Sequence, residues 1–187
     1  MQLDPFSGWC DAVRHCPSPN FNARPDGEVS LLVIHNISLP PAQFGTGKVQ
    51  VFFQNGLDPD EHPYFAEIAA LRVSAHFFIE RDGAVTQFVS CNERAWHAGV
   101  SCFAGRENCN DFSLGIELEG TDELPFTDAQ YDALVALIGV LQKAYPALTP
   151  EHICGHSDIA PTRKTDPGPA FDWSRLRAAL KVCKETL

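Results

Sequence analysis

His35, His156 and Asp166 carry the side chains best suited, by type and setting, to hold a metal ion that does chemistry. Two imidazoles and one carboxylate form a ligand set for a catalytic zinc, because three protein ligands leave the fourth position open for water. His35 stands in VIHN, directly after an apolar run. His156 and Asp166 share one stretch, GHSDIAPTRKTDPG. Pro161, Pro167 and Pro169 stiffen that stretch, so holding two ligands in it costs little chain entropy. Gly155 and Gly168 let the backbone turn close to an ion. Taken singly, each residue is ordinary, and an aspartate before proline usually belongs to a turn. His76 and His97 are rival imidazoles, although His76 lies inside a predicted strand and reads as a satisfied core residue.

The elements that must position these groups are legible from pattern. Leu31–Ile34 is continuously apolar and branched, as a central strand buried on both faces would be. SLPPAQFGTG after it is a loop by every turn signal. Residues 49–54 read as a short helix despite their Val and Phe content, and Pro63 opens another through Ala70. Residues 74–80 and 84–90 predict two strands joined by a tight turn at Asp82-Gly83. Residues 91–111 show neither period, and a loop that long is usually functional or mobile. Residues 112–118 return to strand character.

Thr127 with Gln130 forms a capping box, and Tyr131, Leu134, Val135, Ile138 and Leu141 follow as one apolar stripe that ends before Pro146. Residues 152–154 fit a sheet edge leading into GHSD. Asp172 caps a final helix through about Lys184. No linker divides the chain, so residues 1–187 are expected to form one α+β domain, a mixed central sheet flanked by helices.

Composition removes several classes of function. The chain has 187 residues, and 14 Lys and Arg against 24 Asp and Glu give a net charge of −10. Nucleic acid and anionic membranes demand surplus cations, so neither is expected as a partner. No apolar run reaches the roughly 20 residues of a membrane span. The first residues, MQLDPFSGWC, lack the basic start and apolar stretch of a secretory signal. Seven cysteines, Cys183 among them, include no CxxC pair. They read as reduced thiols of a cytoplasmic protein.

The strings VIHN, SAHFFIERDG, AWHAG, SLGIELEG and GHSDIAPTRKTDPG together resemble the zinc-dependent N-acetylmuramoyl-L-alanine amidase family. Its superfamily includes the phage T7 lysozyme type and the peptidoglycan recognition proteins. The resemblance runs from about Asp4 to Leu180 and is closest to the branch that acts on 1,6-anhydromuramoyl peptides in cell-wall recycling. It implies cleavage between the lactyl group of N-acetylmuramic acid and L-alanine. It further implies that His35, His156 and Asp166 bind Zn2+, that Glu117 is the general base and that Lys164 stabilises the oxyanion. Glu117 and Glu119 share one face of their strand, so spacing alone does not choose between them.

For substrate binding, Asn36 would orient the amide, while Arg72, Trp96 and His97 would lie against the anhydromuramoyl ring or the peptide. Arg94, Arg106 and Arg163 are further cations near the motifs. In an acidic chain with an acidic ligand, the few cations should gather at the site. The expected protein is a monomer whose partner is a small muropeptide. The resemblance also implies an indirect effect on β-lactamase induction, which no residue here shows. Three rivals remain: a muropeptide receptor without turnover, a lytic amidase of intact wall, and a cysteine hydrolase. The presence of all three ligands with Lys164 and Glu117 favours the enzyme over the receptor. Cys154 beside GHSD reads as packing rather than as a nucleophile.

Overall fold

The computed structural model describes residues 1–185, with side chains through residue 182. The Cys183 thiol and the last two residues of the expected domain lie outside that description. In chain order the elements are β1 (Arg14–His15), β2 (Phe21–Ala23), β3 (Leu31–Ile37), α1 (Lys48–Phe53) and α2 (Pro63–Ile68). β4 (Phe77–Ile79), β5 (Val85–Gln87), β6 (Glu93–Ala95), β7 (Cys102–Phe103) and β8 (Arg106–Glu107) follow. β9 (Ser113–Glu119), α3 (Asp128–Ala144), β10 (Ile153–Gly155), α4 (His156–Ile159) and α5 (Trp173–Glu185) complete the chain.

Six strands form one mixed sheet in the order β1-β5-β4-β9-β3-β10. Only β4 and β5 run antiparallel; the other neighbours are parallel. As β3 is central, both its faces are buried, and Leu31, Leu32, Val33 and Ile34 are wholly inaccessible. Leu32 and Ile34 point to one face with Leu114, Ile116, Leu118, Phe77 and Ile79, where α3 and α5 pack on them. Leu31 and Val33 point to the other. Phe78 also lies on that second face, under Phe52 and Phe53 of α1 and Phe65 of α2. Helices therefore flank both faces of the α+β sheet, as expected.

The helix start at Thr127 is a full capping box, with Thr127 Oγ1 accepting from Gln130 N and Gln130 Oε1 accepting from Thr127 N. Such a cap contributes about 1 kcal/mol. The turn at Asp82-Gly83 also forms, with Gly83 at a φ of 86° where only glycine is unstrained. Two expectations need correction. The strands predicted over 74–80 and 84–90 shrink to β4 and β5. Phe88 N still donates to His76 O and Glu80 N to Ala84 O, but beyond these the chain turns to other partners, with Ser74 N donating to Trp96 O and Ser18 N to Phe88 O. Residues 91–111 are not featureless either. β6 pairs with β2 and β7 with β8, in strands of two or three residues too short to show a period.

Candidate metal centre

β3 and β10 are parallel neighbours with Gly155 opposite Ile34, so the next residues, His35 within β3 and His156 just past β10, meet. On the other side of β3, His35 lies opposite Glu117 of β9. Parallel pairing in register puts directly opposed side chains on one face, which makes His35 and Glu117 neighbours. The third ligand arrives by a folded-back loop. Ser157 N donates to the Asp166 carbonyl at 2.9 Å, and Lys164 N and Gly168 N close turns onto Ala160 O and Thr165 O. Gly155 must be small there, because a Cβ would come within 2.8 Å of Pro167.

The three expected ligands converge. His35 Nδ1 lies 2.9 Å from His156 Nδ1, and Asp166 Oδ2 lies 3.0 Å from each. Both histidines are nearly inaccessible. Hydrogen-bond partners fix where the ring hydrogens sit. His156 Nε2 faces the Ala98 carbonyl at 3.0 Å, so it donates and leaves Nδ1 with a bare lone pair. His35 Nε2 can donate to His97 Nδ1 at 2.9 Å, and His97 Nε2 to Ser113 Oγ at 3.1 Å. Every hydrogen in that relay then has an acceptor, and His35 Nδ1 is bare as well.

Three lone pairs so close repel one another unless a cation lies among them. Donors held tetrahedrally at 2.0–2.1 Å from one ion are about 3.3 Å apart, close to this triangle. The donor set therefore fits a metal ion, and this is the group of His, Asp, Glu and Cys that could hold one among the described residues. Burial and the nearby His156 and Lys164 lower the His35 pKa to about 4 against the pull of Asp166, so its lone pair is available at neutral pH. Burial alone would raise Asp166, but the facing His156 and His35 rings hold it well below the ordinary carboxylate range.

Glu117 and Glu119 differ sharply in surroundings. Glu119 Oε1 accepts from Gly45 N and Oε2 from Arg81 N, so its carboxylate is spent on backbone. Glu117 lines the cleft, and its Oε2 is shut from solvent without a hydrogen-bond partner. Burial and the Asp166 charge push Glu117 well above the usual carboxylate range, against the pull of Lys164. Lys164 lines the same cleft and forms no ion pair among the described residues.

The same cleft is lined by His35, His156 and Asp166 together with Glu117 and Lys164. Leu39, Phe52, Phe53 and Ile68 make an apolar wall that sequence reasoning did not anticipate. Asn36 and Trp96 also line it. Asn36 Nδ2 donates to Asp122 Oδ1 at 2.7 Å, and Trp96 Nε1 donates to Asn22 Oδ1 at 2.6 Å. His97 reaches the cleft wall, but both its ring nitrogens are engaged by His35 and Ser113.

Arg72 does not line the cleft. Its guanidinium turns back onto the carbonyls of Ala69 and Leu71. The expected gathering of cations is likewise smaller than the sequence suggested. Arg94 pairs with Asp111, and Arg106 pairs with Glu28 and lies over Phe112. Arg163 donates to the carbonyls of Ala98 and Val100. Among the described residues, Lys164 is the cation that lines the cleft. His76 is the satisfied core residue expected, with Gly115 N donating to Nδ1 and Nε2 facing Glu93 O.

Gly115 was a missed participant with a readable signal, since glycine inside a strand marks close approach. A Cβ there would lie 2.6 Å from the His97 ring. Gly115→Ala is expected to destabilise the protein by about 1–3 kcal/mol, as overpacking does. An unchanged urea midpoint would show that the ring can move aside freely.

The geometry has counterparts among known proteins. The pattern of the family described as N-acetylmuramoyl-L-alanine amidase matches residues 25–169. The chain is 59% identical over 180 residues to the 1,6-anhydro-N-acetylmuramyl-L-alanine amidase AmpD of Enterobacter cloacae, covering 96% of each. A crystal structure of a selenomethionine derivative of AmpD superposes with a TM-score of 0.93 at 56% identity, over 96% of this chain and 99% of that one. The amidase AmiD of Escherichia coli, in complex with its substrate anhydro-N-acetylmuramic acid-L-Ala-D-gamma-Glu-L-Lys, superposes with a TM-score of 0.63 at 28% identity. That match covers 91% of this chain and 60% of AmiD. This chain belongs to the N-acetylmuramoyl-L-alanine amidase family.

Proposed function

We propose that this protein is a zinc amidase that hydrolyses the amide between the lactyl group of 1,6-anhydro-N-acetylmuramic acid and L-alanine. The observation that carries the reading is the triangle of bare donor atoms on His35, His156 and Asp166 in a cleft shared with Glu117 and Lys164. The near full-length similarity to AmpD supports the substrate. A zinc ion held by the three ligands would supply Lewis acidity toward the amide carbonyl and toward water.

The chain's own groups do the rest. Glu117, with its raised proton affinity and unpartnered Oε2, accepts the proton of the attacking water and returns one to the leaving alanine nitrogen. The two backbone donors on Glu119 support giving that role to Glu117. Lys164 brings a fixed positive charge to the carbonyl oxygen as negative charge develops there, an interaction often worth about 3–4 kcal/mol. The apolar wall of Leu39, Phe52 and Ile68 keeps bulk water from the reacting bond. Trp96 offers a ring face to the sugar, and Asn36, held by Asp122, offers its amide to the substrate amide.

The reading extends to setting. A monomer acting on a soluble muropeptide is the corresponding setting. Six cysteines are free among the described residues, which suits the reducing cytoplasm. No described helix is long and apolar enough to cross a membrane. The test is hydrolysis of purified anhydromuramoyl tripeptide before and after chelation, then with zinc restored. Loss and recovery of cleavage are expected; chelator-resistant cleavage would overturn the metal's role, and binding without turnover would favour a receptor.

A further inference from the structure

The two imidazoles of the site are both held from behind by one turn of backbone, whose amides are bound by one side chain, Asn110, while Arg163 donates to its Ala98 carbonyl. His97 sends its ring to His35 Nε2 at 2.9 Å, and the next residue, Ala98, sends its carbonyl to His156 Nε2 at 3.0 Å. Their backbone amides share one acceptor: Asn110 Oδ1 receives His97 N at 3.1 Å and Ala98 N at 2.8 Å. Asn110 is itself buried, at 6% exposure. It does not touch the cleft or any ligand.

Its own position is secured in turn. Arg24, also buried, donates from Nη1 to the carbonyls of Asn110 and Asp111 and from Nη2 to those of Glu93 and Ser113. The guanidinium thereby ties the loop bearing Asn110 to β9, the strand that carries Glu117.

We propose that Asn110 is a positioning residue that sets the tautomer and orientation of both His35 and His156 through the 97–98 backbone. The proposal rests on the zinc reading given above. Both histidines must present Nδ1 as a lone pair, so each must keep its hydrogen on Nε2. Only a correctly placed acceptor behind each ring secures that hydrogen. One carboxamide oxygen places both acceptors, the His97 ring for one and the Ala98 carbonyl for the other.

Zinc affinity by chelator competition is to be measured for the parent, Asn110→Ala and Asn110→Asp. The metal-free proteins are to be examined alongside by imidazole nitrogen NMR. Asn110→Ala is expected to weaken zinc binding by about 10–100-fold. It should also turn the single Nε2–H tautomer of His156 into a mixture. Asn110→Asp keeps the acceptor oxygen and should restore both readouts, which a merely structural role in loop folding would not require. If Asn110→Ala does not fold, Asn110→Ser, with a shorter reach to the two amides, carries the same comparison.

A parent-like affinity and a single tautomer in a folded variant lacking the acceptor would overturn the proposal. If the parent itself binds no zinc, the metal reading fails instead, while the tautomer spectra still decide the role of Asn110.

Discussion

Glu117→Gln is expected to leave metal binding intact and to cut turnover of anhydromuramoyl peptide by about 10²–10⁴-fold. Glutamine matches the shape of the side chain but has no proton to take up or return. Glu117 stands directly across from His35 in the β3–β9 register, yet it is not one of the three converging donors. The variant should therefore hold zinc as the parent does, whereas His156→Ala should lose both zinc and hydrolysis. Glu119→Gln is the matched control on the same strand. It should affect stability, since Gly45 N and Arg81 N lose a charged acceptor, but not the chemistry. Parent-like turnover by zinc-loaded Glu117→Gln would remove Glu117 from the mechanism and leave the proton transfer to another group.

The second large effect concerns acid. His76 is completely buried, and burial together with the nearby Arg24 charge lowers its pKa to about 3. In the unfolded chain the same imidazole titrates near 6.5. Between those values the unfolded state binds a proton that the folded state refuses, so this group's share of stability falls as pH drops from about 6.5 toward 3. The slope for one proton is about 1.4 kcal/mol per pH unit. Charge on this ring would also face Arg24, and the edge-on His97 ring lies 5.8 Å away between ring centres.

His76→Gln offers an oxygen to Gly115 N and an N–H to Glu93 O without a titrating group. Urea denaturation of both metal-free proteins across this range should show the variant's stability falling less steeply with acid, by about one proton's worth. Parallel slopes would mean that His76 keeps its ordinary pKa in the fold.

Legibility differed between elements for physical reasons. The capping box at Thr127 and the stripe along α3 are local signals, and they formed as read. The buried run of β3 was equally plain, because a central parallel strand needs apolar residues on both faces. The three ligands were readable as a set because two lie in one proline-stiffened loop and the third ends that run. Asn110 and the Ala98 carbonyl were not readable. Their contribution is made by a side chain to backbone across an irregular loop, and nothing in local pattern records it.

The cations misled for a related reason. Arg94 and Arg106 lie close to the motifs in sequence, but Asp111 and Glu28 neutralise them in the fold. Arg72 bonds the carbonyls of Ala69 and Leu71, just beyond the end of α2. The choice between Glu117 and Glu119 was open by spacing, and the backbone amides that occupy Glu119 favour Glu117.

The strand order β9-β3-β10 bears on how the protein is made. β3 emerges early from the ribosome, but both strands that complete its surroundings are encoded much later, and His156 and Asp166 follow the last of them. Parallel pairing over such separations carries a high contact order, and loop closure must precede any gain from packing. A chain halted before β10 has His35 alone of the three donors and lacks the strand that places His156. The full triangle of donors is therefore assembled only near the end of synthesis.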